Sequence, residues 1–145
     1  MPNDSSMEFP RCNCLAVRQA ARHITQFYDQ CLAPTGLRTT QYSILANVHR
    51  LAPVAIHTLA SELAMDRTTL GRNMLPLERD GLIAIESRPS DRRSKELCLT
   101  QAGARRLSAA RKYWTDAQSR FENTFGSTRA ASLRGELRAV VAQEF

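Results

Sequence analysis

Arginine, cysteine and histidine carry most of the reactive chemistry in this sequence, and their spacing sorts them into separate kinds of site. Arg88, Arg92, Arg93 and Lys95 fall within eight residues beside a single acid, Asp91. Guanidinium forks match phosphate oxygens and guanine edges. The run is therefore either a solvated turn or a tip suited to the negative potential of a minor groove. Cys12 and Cys14 form a CxC pair, and Cys31 and Cys98 stand alone. No second pair and no HxxxH completes a zinc site. His23, His49 and His57 fall on three separate predicted elements, so no metal is expected. Cys14 differs from the other thiols because Arg18 lies at i+4, where it could stabilise a thiolate. The plainer reading of a cysteine is a small apolar filler. That reading is taken for Cys31, on the apolar face of its helix, and for Cys98, between Leu97 and Leu99 with no basic neighbour.

Twenty basic residues against 14 acidic give a net charge of +6. All the basic residues except Lys95 and Lys112 are Arg. Such a surplus favours an anionic partner, nucleic acid first. A chain of 145 residues is one domain's worth. Its 43% hydrophobic and 23% charged residues exclude a disordered or fibrous chain. No apolar run approaches the roughly 18 residues of a membrane helix. The start, MPNDSSMEFPRC, is acidic and polar without an apolar segment, which predicts no secretory signal and a cytoplasmic location. In that compartment four cysteines do not make a disulfide framework.

Helices must position these groups. From Cys14 to Leu32, Val17, Ala20, Ile24, Phe27 and Cys31 step by three and four along one face, until Pro34 and Gly36 end the helix. Thr40 to Leu51 follows, with Tyr42, Leu45, Ala46 and Val48 or His49 turned inward. Ile56, Leu59, Ala60, Leu63 and Ala64 then mark a short amphipathic helix. Asp66 caps the next helix, which begins at Arg67, buries Leu70, Met74 and Leu77, and stops at Gly81. Pro76 inside it predicts a slight bend rather than a break. Strands over Leu82–Glu86 and Glu96–Leu99 frame the arginine run, which is too long and too charged for a tight turn. Thr100 caps a helix of about 25 residues, whose seam Leu107, Ala110, Trp114, Ala117 and Phe121 asks for a packing partner. Gly126 ends it, and Thr128 to Gln143 forms the last helix.

Two short helices joined by a tight turn, followed by a hairpin with a basic tip, describe a winged helix-turn-helix that contacts DNA. Here the chain resembles the MarR family of bacterial transcriptional regulators. The resemblance rests on Asp66-Arg67-Thr68-Thr69-Leu70 and on Leu77-Glu78-Arg79-Asp80-Gly81-Leu82-Ile83. It continues through the wing signature Asp91-x-Arg93 and Leu99-Thr100-x-x-Gly103, and covers residues 12 to 145. It implies a mainly α fold with a small β-hairpin wing, organised as a single domain over 1–145. Residues 12–33 and 101–145 would form dimerisation helices, and 37–100 the winged helix-turn-helix region. It also implies a homodimer on a pseudo-palindromic duplex. Arg93 would enter the minor groove, oriented by Asp91, and Arg67, Thr68, Thr69, Arg72 and Asn73 would face the major groove beside the wing's Arg88, Arg92 and Lys95.

Cys14 lies where the organic-hydroperoxide-sensing branch of that family places its reactive cysteine. Tyr28 falls at one of that branch's two thiolate-binding tyrosines, and Arg18 stands at the other. The expected function is a repressor released by an inducer, through cysteine oxidation or a small aromatic or acyl ligand in the cleft between dimer helices and winged domain. No cofactor and no membrane are expected, and the chain is not read as an enzyme. The rivals are a thiol peroxidase using Cys14, which lacks a positioned base, and an architectural or RNA-binding basic protein. The seam of the long helix, with the stripe of the first helix, is also too large to leave wet and argues for an obligate dimer.

Overall fold

The computed structural model describes residues 11–88 and 91–145, with residues 88 and 91–94 described in backbone only. Helix α1 (Asn13–Leu32) starts at Cys12, whose Sγ accepts the Leu15 N–H at 3.4 Å. A 3₁₀ turn (Ala33–Thr35) leads to α2 (Thr39–Leu51), and the carboxylate of Asp29 accepts the Thr39 N–H at 2.7 Å, fixing the corner. Then come β1 (Val54–Ala55), α3 (Ile56–Glu62), α4 (Arg67–Arg79), β2 (Ile83–Arg88) and β3 (Asp91–Leu99). The chain closes with α5 (Gln101–Phe125) and α6 (Ser127–Ala142). The mainly helical winged helix-turn-helix expectation is met.

The sheet is three-stranded and antiparallel in the order β1-β3-β2, not a lone hairpin. The two-residue β1 pairs Val54 with Leu97 and Ala55 with Glu96. On the other edge Ile83 faces Leu99 and Ser87 faces Lys95, after which the register shifts and Arg88 faces Asp91. The long loop expected over Ser87–Lys95 is thus corrected. Only residues 89–90 separate the strands, and the extra length sits in β3 as Arg92, Arg93 and Ser94 opposite a single step of β2.

The core lies where α2, α4, the sheet and the start of α5 meet, with Leu45, Val48, Leu59, Leu70, Leu77 and Leu97 fully buried. In α2 the inner side is Tyr42, Ile44, Leu45 and Val48, while His49 is exposed. Pro76 does not break α4. Gly81, at φ +70°, ends it. The Gly81 N–H reaches the Glu78 carbonyl and the Leu82 N–H reaches that of Leu77 at 2.9 Å, a paired closure that requires a left-handed residue.

The seam of α5 is a second correction. Leu107, Ala110 and Ala117 are buried within the chain itself. Trp114 stacks on Tyr42 of α2, centroids 6.1 Å apart and planes 15° apart. Running from Arg106 against Thr35 to Gln118 against Tyr28, α5 lies antiparallel along α1, so its stripe is spent on its own chain. On the long helices the open apolar side chains include Val17 on α1, and Leu137, Val140 and Val141 on α6.

Where α5 begins, Thr100 Oγ1 donates to the Gly81 carbonyl at 2.5 Å and accepts the Gly103 N–H at 3.0 Å. A Cβ on Gly103 would sit 2.0 Å from the Leu82 carbonyl oxygen. Backbone cannot yield that far without strain. Gly103→Ala should therefore lower stability by about 1–3 kcal/mol, the usual range for overpacking. Gly71→Ala, with nothing within 4 Å of the added carbon, should raise it by about 0.4–1 kcal/mol. Denaturant unfolding of the two variants checks both signs.

Candidate nucleic-acid interface and the cysteines

Helix α4 owes its start to Asp66. Its Oδ1 accepts the Thr69 N–H at 2.7 Å and its Oδ2 the Thr69 hydroxyl at 2.9 Å. These bonds favour the carboxylate, the Thr69 N–H foremost, and hold the Asp66 pKa below its ordinary value. Thr69 therefore serves the cap with its hydroxyl proton. Asn73 is also engaged locally, its Nδ2 donating to the Thr69 carbonyl at 3.0 Å. Arg67, Thr68 and Arg72 are exposed.

The helical period orders these side chains. With Leu70, Met74 and Leu77 buried, the direction opposite the core holds Thr68, Arg72, Leu75 and Arg79, spaced four, three and four apart. Arg79 makes only a loose surface contact with Asp80, Nε to Oδ1 3.7 Å. Arg67, Thr69 and Asn73 lie on the flanks of that stripe. Leu75 was not among the residues singled out from the sequence. Its signal is an apolar residue out of phase with the buried ones, 62% exposed. The turn before α4 is set by Ala64 at φ 52° and by the Met65 N–H bonding the Ala60 carbonyl at 2.9 Å. An Arg50–Glu62 ion pair ties α2 to the end of α3.

On the wing, Lys95 is exposed opposite Ser87. Arg88, Asp91, Arg92 and Arg93 are strand residues, but their side chains lie outside the described set, as does the expected Asp91–Arg93 ion pair.

The four thiols sit in different surroundings. Cys14 and Arg18 are both exposed, and no hydrogen bond or ion pair joins them. Tyr28 lies about 21 Å along α1 from Cys14 at 1.5 Å per residue, and its hydroxyl bonds Gln118 of α5. Burial raises the Tyr28 pKa, and Glu122 adds to it. Within the chain, then, Cys14, Arg18 and Tyr28 are not brought together. Cys31, expected as plain core, is only half-buried and has Arg120 Nη1 at 3.5 Å from its Sγ. Cys98 points its thiol at the Ala84 carbonyl, 3.9 Å away. Burial pushes that thiol up, and Glu86 adds to the effect.

Two cavities flank α5. One of about 510 Å³ is lined by Ile24, Phe27, Phe121 and Phe125, with Arg120 and Arg129 at its edge. Those guanidiniums lie over the Phe27 and Phe125 rings, at 5.1 and 4.1 Å. The other, of about 430 Å³, lies where the 3₁₀ turn meets α5, beside Thr35, Arg106, Lys112 and Tyr113. Among the described residues no group of His, Cys, Asp and Glu gathers in the way a metal needs, and no helix is long and apolar enough to cross a membrane.

A family model described as the MarR family matches residues 37–95. Among solved structures, the chain is 32% identical to the M. tuberculosis transcriptional regulator MosR in complex with DNA. That match covers 91% of this chain and 99% of that one, with a TM-score of 0.75. It is 25% identical to the transcriptional repressor CouR bound to a 23-mer DNA duplex, over 92% and 94% of the two chains, TM-score 0.82. The match to CouR from Rhodococcus jostii RHA1 bound to p-coumaroyl-CoA is also 25%, over 90% and 92%, TM-score 0.76.

Because folding depresses the Asp66 pKa, its contribution is complete above the ordinary carboxylate value of 3.8 and fades as pH falls through the lower folded value. Asn at this position keeps an N-cap acceptor without the charge. Asp66→Asn should therefore lose less stability than wild type between about pH 5 and pH 3, as read by urea unfolding at each pH.

Proposed function

The chain belongs to the MarR family of transcriptional regulators, and from that footing we propose that it binds operator DNA as a homodimer and represses transcription until an inducer releases it. The observation that carries this reading is the outward stripe of α4. It presents Thr68, Arg72 and Arg79 with Leu75 among them, on a helix whose opposite side is committed to the core. A helix so held fits the major groove, with its early residues toward base edges and phosphates. Strands β2 and β3 would carry Arg88, Arg92, Arg93 and Lys95 to the adjoining minor groove, with Asp91 orienting Arg93.

Support for the dimer comes from α1 and α6 rather than from the α5 seam. Val17, Leu137, Val140 and Val141 are 40–69% exposed, and among the described residues of α6 only Ala130 is buried. Such surface is what a second copy covers. The inducer is read in two ways, each with its own observation. The aromatic cavity edged by Arg120 and Arg129, and the basic one beside Arg106, suit a small anionic aromatic or acyl ligand. The exposed Cys12 and Cys14 at the start of α1 suit an oxidant. The peroxidase alternative needs a base beside Cys14, and among the described residues no partner engages that thiol.

Mobility shift on the chain's own promoter region tests the DNA reading. Arg72→Ala should weaken binding and relax sequence preference. Arg93→Ala should weaken it by about 1–3 kcal/mol, the range for one lost groove contact. Sedimentation of the complex should give one dimer per inverted repeat, and wild-type-like binding by both variants would refute the assignment of α4 and the wing.

Repeating the shift with peroxide, with a panel of phenolic acids and with Cys14→Ser separates the inducers. An oxidant reading requires that Cys14→Ser bind DNA and ignore peroxide, and that Cys14 alkylate much faster than Cys98. A ligand reading requires release of Cys14→Ser by a phenolic acid or acyl thioester.

A further inference from the structure

Leu75 occupies an unusual place on α4. An isolated leucine on an ordinary surface needs no explanation. This one lies between Arg72 and Arg79 on the side away from the core, takes no part in the hydrophobic cluster and is 62% exposed. Arg72 precedes it by one turn and Arg79 follows it by one turn, and no acidic residue falls on the same stripe. The surface is thus an apolar centre in a cationic frame. In the major groove the base edges offer hydrogen-bond donors and acceptors, and one apolar group, the C5-methyl of thymine. Phosphates and guanine edges around that methyl match the two guanidiniums.

We propose that Leu75 is a specificity-determining residue that reads a thymine C5-methyl group in the operator. The proposal rests on the reading of α4 as the DNA-facing helix. Leu75 lies about 4.5 Å along the helix axis from Arg72, against a base step of about 3.4 Å. The two side chains are thus close enough to address neighbouring base pairs of one half-site.

The experiment first selects an operator from random duplexes with the wild-type protein. Each thymine of that operator is then replaced, symmetrically in both half-sites, by deoxyuridine, which removes the methyl group alone. Dissociation constants are measured by fluorescence anisotropy for wild type, Leu75→Ala and Leu75→Met. Alanine is the better helix former and the site is exposed, so the fold is retained. Burial of one methyl-sized group corresponds to about a fourfold effect, hence on the order of tenfold for two half-sites. One symmetric thymine pair should show that loss with wild type. Leu75→Ala should bind the unmodified operator with a similar loss and no longer distinguish thymine from uracil there, and Leu75→Met should recover part of the discrimination. An operator that is selected but indifferent to every replacement overturns the proposal alone, as does Leu75→Ala with undiminished discrimination. Failure of wild type to select any operator overturns the reading of α4 and the proposal with it.

Discussion

The approach of Gly103 to the Leu82 carbonyl is the contact on which the geometry of the whole chain depends. Helix α5 can rest on the turn after α4 only because residue 103 carries no side chain. Thr100 closes the same junction three times over: its hydroxyl joins Gly81 and Gly103, and its N–H bonds the Leu82 carbonyl at 3.1 Å. The end of α4, both strands of the wing and the start of α5 therefore meet in a few residues. Backbone groups and one hydroxyl, not long side chains, fix the angle between α4 and α5. Such joints transmit displacement well, because packed backbone has few alternative arrangements.

The charge surplus divides in the folded chain. Composition treats eighteen arginines alike, yet several have internal tasks. Arg106 bonds the Thr35 carbonyl, Arg120 lies on Phe27 beside Cys31, Arg129 lies on Phe125, and Arg134 pairs with Glu122 at 3.2 Å. Three of these join α5 to α1 or α6, and Arg106 ties α5 to the 3₁₀ turn. Arg67 and Arg72 remain exposed on α4. The electrostatic signal for a polyanion is thus carried by fewer groups than the net charge suggests, and by groups whose positions the fold sets.

What could be read in the sequence follows the range of each interaction. Caps are local, so Asp66, Gly81, Thr100 and Gly126 marked the helix ends correctly. Periodicity showed that one face of α5 is buried but not what covers it, because a stripe records burial and not the identity of the neighbour. Strand β1 was missed for a related reason: Val54 and Ala55 form a strand only by pairing with Leu97 and Glu96, some forty residues away. The wing's charges masked strand residues, since register is decided by the partner strand. On α4 the exposure of Arg67, Thr68 and Arg72 was legible from the sequence, whereas the local bonds of Thr69 and Asn73 and the exposure of Leu75, which hydropathy alone assigns to the inside, were not. The cysteine assignments were the least legible, because the surroundings of a thiol come from other elements, as Arg120 shows at Cys31.

The stacking of Trp114 on Tyr42 has a consequence for how the molecule can be observed. Trp114 is the single tryptophan of the chain, and its ring lies against a residue of α2 while its backbone belongs to α5. Its indole is therefore a native fluorophore seated between the winged region and the long helix. A slide of one against the other changes ring overlap and solvent access, and with them emission intensity and wavelength. The contact between α2 and α5 thus carries its own optical probe, with no attached dye.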